Sequence, residues 1–101
     1  MFVINTTFVI DRQIYDEFLI WLSEVYVNAA MKTNIFLSNR IAQVISNEDP
    51  HTVSIACEFT CQSLSEGVCW NDTTSQSIRH QMLSQWGDKA LFFTTYLKTI
   101  E

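Results

Sequence analysis

Three cysteines and two histidines are the most reactive residue types in this 101-residue chain, and their spacing decides against most of the chemistry they could do. Cys57 and Cys61 lie four residues apart in a stretch that reads as a strand. Their Cα atoms are then ~13 Å apart, too far for a disulfide. With Cys69 the count is odd, which points to reduced thiols in a reducing compartment. No metal site is expected, because neither His51 nor His80 stands beside a cysteine at a ligand spacing. Cys57 and Cys61 read as core thiols, and Cys69, near a helix start, has no flanking base to make it a nucleophile. Arg40 and Glu58 read as a cross-strand ion pair rather than an acid or base. Neither a glycine-rich phosphate loop, nor a GxSxG elbow, nor a specific carboxylate pair occurs.

The elements that must position these residues follow in the order strand, helix, strand, strand, helix, strand. Residues 2–10 are β-branched and aromatic and form the first strand. Asp11 caps a helix whose apolar stripe is Ile14, Phe18, Trp21 or Leu22, Val25 and Ala29, with Tyr15, Leu19, Ile20 and Tyr26 outside it. Residues 35–45 and 52–61 form a hairpin around the turn at 46–51. Symmetric pairing sets Leu37 opposite Cys61, Ile41 opposite Cys57 and Ile45 opposite Val53. On the other surface Arg40 faces Glu58, Ala42 faces Ala56 and Ser38 faces Thr60. Residues 64–86 are helical with a break near Thr73, send Ile78, Met82, Leu83 and Trp86 to the core, and stop at Gly87. Residues 90–100 form the last strand.

This order is the split βαβ plan, an α+β sandwich of the ferredoxin-like βαββαβ type with helices on one face of a four-stranded antiparallel sheet. Residues 1–101 make a single domain, and 48% hydrophobic content is enough for its core. The net charge of -5, with the six basic residues scattered, argues against nucleic acid as a partner. The apolar runs are too short to span a bilayer and the N-terminus does not fit a signal peptide, so a soluble, cytoplasmic protein without a membrane partner is expected. Two helices cover one side of the sheet only. Val3, Val9, Phe36, Val44, Phe92 and Tyr96 are expected on the other, and pairing two sheets face to face would bury them in a homodimer of the dimeric α+β barrel type.

At Asn5-Thr6-Thr7-Phe8, Glu24-Val25-Tyr26-Val27 and Trp86-Gly87-Asp88-Lys89 the chain resembles an uncharacterised bacterial domain-of-unknown-function family with a ferredoxin-like fold. That family is similar in architecture to the dimeric α+β barrels that include the antibiotic-biosynthesis monooxygenases. Members commonly carry Ile-Pro where this chain has Val27-Asn28, and glycine where it has Asn34, which can itself adopt the left-handed conformation. The resemblance extends to an Asn, Trp and His trio in haem-degrading monooxygenases of the same superfamily. It implies His80 as iron ligand, with Trp70 ten residues before it and Asn5 on the oxygen side. The parity of the first strand opposes this, because Phe2, Ile4, Phe8 and Ile10 share the helix-covered face and Asn5 takes the other.

Two functional readings stand. The first is a non-enzymatic homodimeric ligand-binding or interaction module, without a cofactor, with a small apolar ligand between sheet and helices lined by Phe18, Leu22, Trp70 and Met82. The second is a monooxygenase-like enzyme, with or without haem, using His80, Trp70 and Asn5. A regulatory subunit docking through Tyr15, Leu19 and Tyr26 is a third class.

Overall fold

In the computed structural model, which describes residues 1–45 and 49–100, the strands are β1 (Phe2–Asp11), β2 (Phe36–Val44), β3 (Thr52–Cys61) and β4 (Ala90–Lys98). They form one antiparallel sheet in the order β2-β3-β1-β4, the ferredoxin-like arrangement expected from the order of elements. The helices are α1 (Tyr15–Trp21), α2 (Asn28–Met31), α3 (Leu64–Asp72) and α4 (Thr74–Trp86). Among the described residues no helix is long and apolar enough to cross a membrane.

The first helical region departs from a uniform α-helix in a way that sets its buried face. Asp11 caps it by accepting from the Gln13 N–H at 2.8 Å, and a 3-10 turn, Arg12–Ile14, leads into α1. Between α1 and α2 runs a π-helical segment, Leu22–Val27. The buried residues are Ile14, Phe18, Leu22, Tyr26 and Ala30, each four after the last. Four residues of an α-helix advance about 40° past a full turn, so such a column would wind by about 160° away from the sheet. The π-helical turn takes up an extra residue and returns the column to the core. This corrects the expected stripe: Val25 is exposed, and Tyr26 is fully buried, as is Ala30 in place of Ala29.

The second helical region breaks at Thr73, as its composition predicts. Ser63 caps α3 through its hydroxyl, which accepts from the Glu66 N–H at 3.2 Å, and the Thr73 hydroxyl donates to the Cys69 carbonyl at 2.6 Å. Gly87 ends α4 at a φ of 58° and a ψ of -133°, a conformation that glycine reaches without a steric penalty. Asn34 takes a φ of 62° before β2. Ile78, Met82 and Trp86 are buried as expected, but Leu83 is exposed and Arg79 is buried instead.

Sheet register decides which residues the helices cover. From Ser38 onward the hairpin pairs as predicted, including Arg40 with Glu58, joined at 2.8 Å, and Ile41 with Cys57. A one-residue bulge between Phe36 and Ser38 sets Phe36, rather than Leu37, opposite Cys61 and turns it toward the helices. Ile45 lies beyond β2, and residues 46–48 of the expected turn are outside the described residues. In β4 the expected parity is inverted: Ala90 pairs with Ile10, Phe92 with Phe8 and Tyr96 with Ile4, all on the helix side.

Within the core, aromatic rings pack on one another beside the aliphatic side chains. Phe59 stacks between Phe36 and Tyr26, with centroids 5.0 and 5.9 Å away, and Trp70 meets Tyr26, Phe36 and Phe59 edge-on at 5.2 to 5.6 Å. Such pairs add to the burial term and hold the rings in one arrangement. Gly67 lets α3 approach β1 closely, since a Cβ there would stand 3.0 Å from Ile4 Cδ1 and 3.1 Å from Cys61 Sγ.

Candidate functional site

One charged side chain lies inside this apolar layer. Arg79, on α4, is 6% exposed. Its Nη1 donates to Asn71 Oδ1 at 2.8 Å and to the Tyr26 hydroxyl at 3.4 Å, and also to Ser75 Oγ. Its Nη2 donates to the Asn71 carbonyl at 3.0 Å, in the last turn of α3, where the partial negative charge of the helix terminus favours a cation. The Phe92 ring covers the guanidinium with its centroid 4.5 Å from Cζ. Tyr26 and Ser75 share a 2.7 Å hydrogen bond, and Asn71 Nδ2 donates to the Tyr96 hydroxyl at 3.0 Å. Burial raises the Tyr26 phenol above its ordinary range, and the bonds to Ser75 and Arg79 pull it partly back.

Each part of this network depends on a local irregularity of the fold. The π-helical segment turns Tyr26 inward. The break at Thr73 aligns Asn71 at the end of α3 with Ser75 and Arg79 on α4. The parity of β4 brings Phe92 and Tyr96 to the same side. Asn71, Ser75 and Arg79 follow one another at intervals of four, a polar column beside the apolar one of Ile78 and Met82. That spacing was the signal available in the sequence; the six basic residues read only as scattered along the chain, because nothing local marks one of them as buried. Among the described residues the one ion pair is Arg40 with Glu58, so the Arg79 charge is met by neutral dipoles and a ring face alone. Its Nε is buried without a partner.

The sequence-predicted trio does not converge. Asn5 sits on the open face of the sheet, opposite Glu58 and Thr95, with its Oδ1 buried and unpartnered. Trp70 is in the core beneath α3, its indole N–H also without a partner. His80 is exposed on α4, at the rim of a depression lined by Asp72, Thr73, Gln76 and Ser77. The sheet separates Asn5 from the other two, so one ligand cannot meet all three, and the haem arrangement implied by the monooxygenase resemblance is not formed. Among the described residues no cluster of metal-ligating side chains occurs.

Of the residues expected around an apolar ligand, Phe18, Leu22 and Met82 are fully buried in the packed core. Trp70 alone borders a cavity, a shallow one of about 290 Å³ shared with Thr33, Ile35 and Cys69. The three cysteines are free; Cys57 and Cys61 are buried and Cys69 is exposed. Burial, reinforced by the neighbouring Glu58 charge, pushes the Cys57 thiol up to about 12, and burial also raises Cys61. Both are held protonated and unreactive.

The open face carries Val3, Val9 and Val44 as expected. Its other apolar residues are Leu91, Phe93 and Leu97, at 56%, 55% and 43% exposure, because Phe36, Phe92 and Tyr96 turn toward the helices. Across the face, Ser38-Thr60-Val3-Leu97 and Arg40-Glu58-Asn5-Thr95 form successive rows, followed by Ala42-Ala56-Thr7-Phe93 and Val44-Ser54-Val9-Leu91. The β4 side is largely apolar, and the β2 side mixes Ser38 and Arg40 with Ala42 and Val44.

Three solved structures share this architecture at low identity, which shows the fold. HapK from Hahella chejuensis aligns with a TM-score of 0.71 at 12% identity, over 99% of this chain and 93% of its own. A dimeric ferredoxin-like protein from an uncultured marine organism gives 0.63 at 14%, over 98% and 95%. A de novo designed protein with a ferredoxin fold, LFR1 1, gives 0.55 at 10%, over 100% and 88%. No curated protein matches the sequence. The sequence itself matches a domain of unknown function, DUF4286, over residues 1–100, and the chain belongs to that family.

Proposed function

We propose that the protein is a non-enzymatic homodimeric interaction module whose two copies meet through the open faces of their sheets. The observation that carries this reading is the run of Leu91, Phe93 and Leu97 beside Val3 and Val9, on a face that no helix covers. Burying an apolar side chain of this size is worth about 1.5–3 kcal/mol, and a contiguous exposed patch of several marks a contact surface. The similarity to a ferredoxin-like protein described as dimeric supports the second copy as occupant. The non-enzymatic part rests on the separation of Asn5, Trp70 and His80 and on the protonated, buried state of Cys57 and Cys61.

Sedimentation equilibrium tests it. The wild-type chain is expected at twice its 11.7 kDa mass, and Phe93→Asp at the monomer mass with an unchanged far-ultraviolet circular dichroism spectrum. A monomeric wild type overturns the proposal, and so does a folded Phe93→Asp variant that remains dimeric.

A further inference from the structure

We propose that Arg79 is the recognition residue of an internal site for a small organic monocarboxylate, reached from the β4 edge between Phe92 and Tyr96. An arginine keeps its positive charge in a protein, and burying one is costly unless it is paired and fully hydrogen-bonded. Arg79 is buried, no carboxylate pairs with it among the described residues, and its Nε–H has no acceptor.

The neutral partners hold the guanidinium rather than neutralise it. Tyr26, Ser75 and the Asn71 side chain take the Nη1 end, and the Asn71 carbonyl takes one donor of Nη2. The edge formed by Nε and Nη2 is left, and a planar carboxylate binds such an edge through two parallel hydrogen bonds. One uncompensated positive charge asks for one negative charge, so a monocarboxylate fits better than a phosphate ester.

The way in is set by β4, an edge strand. Phe92 lies on the guanidinium yet is 36% exposed, and Tyr96, tied to the network through Asn71, is 41% exposed. Phe92 is a partly exposed cover on the face of the guanidinium, so entry from this edge requires that ring to move aside. The exposed faces of Phe92 and Tyr96 suit an apolar body on the ligand, with its carboxylate inward. The site uses the helix side of the sheet, so it does not depend on how the open faces associate.

The test is a titration of the full chain with sodium benzoate, and separately with benzamide as its neutral isostere, followed through backbone amide chemical shifts. Benzoate is expected to give saturable shifts gathered in β4 and in α4 around Arg79, and benzamide none. Arg79→Lys, which keeps the charge and loses the planar fork, should weaken benzoate binding about tenfold or more. Equal responses to benzoate and benzamide, shifts confined elsewhere, or no saturable response at tens of millimolar each overturn the proposal. Should Arg79→Lys fail to fold, the comparison of the two probes on the wild-type chain decides alone.

Discussion

Tyr26 joins the aromatic core to the polar network. Its ring packs with Phe8, Trp21, Phe59 and Trp70, and its hydroxyl joins the Arg79 network. Removing that hydroxyl leaves Ser75 and Arg79 short of a partner in a dry layer, so Tyr26→Phe is expected to lose about 1–2 kcal/mol in urea denaturation, although the ring stays. The buried thiols give a second prediction. Cys57 ionises near 9 when exposed and at about 12 in the fold. The raised value means that the native state keeps its proton where the unfolded state has lost it. Stability from this group is therefore complete below pH 9 and declines from pH 9 toward 12, with Tyr26 adding in the same direction at its own higher range. Denaturation midpoints at pH 7.5, 9 and 10 should fall slightly across the lower interval and mainly across the upper one. In the native protein a thiol reagent should label Cys69 alone, Cys57 and Cys61 reacting after unfolding.

At the scale of elements, two glycines mark where helices are constrained. Gly67 holds α3 against Ile4 and Cys61, and the methyls of a valine there would meet both, so Gly67→Val is expected to cost about 2 kcal/mol. Gly87 faces open space, yet its backbone conformation is strained for any other residue, so Gly87→Ala should cost about 1 kcal/mol from the backbone alone. Thermal denaturation of the two variants separates a steric cause from a conformational one. The helix break at Thr73 and the stop at Gly87 were legible in the sequence because they are local preferences of the chain. The π-helical segment was not. Its evidence was the unbroken column Ile14, Phe18, Leu22, Tyr26, Ala30, which regular α-helical spacing disguises by making Val25 and Ala29 look equally suitable.

For the whole molecule, the proposed association through the open faces predicts a melting temperature that rises with protein concentration, because a partner that binds only the folded chain stabilises it by mass action. Phe93→Asp should melt at a temperature independent of concentration and remain folded, since Phe93 lies outside the core that the helices close. Calorimetry over a range of concentrations reads both. A concentration-independent wild type would place these residues among ordinary exposed apolar side chains.

What the sequence by itself determined is the order of the elements, the ferredoxin-like plan, the hairpin pairing of Arg40 with Glu58 and the placement of Asn5 away from the helices. These follow from alternation and capping, which act between near neighbours. The tertiary structure decided three things that no local pattern carries. The bulge at Phe36 and the register of β4 set which aromatic residues face the helices, and the meeting of α4 with the π-helical turn encloses Arg79. A one-residue change of phase moves a side chain to the other face of a sheet or helix at little cost within the strand or helix itself, so the choice belongs to the packing of distant elements. Arg79 illustrates it most directly: it stands beside the core residues Ile78 and Met82 with nothing local to mark its own charge as buried, and only Tyr26, Asn71 and Phe92, brought from three other parts of the fold, make that charge a feature of the interior.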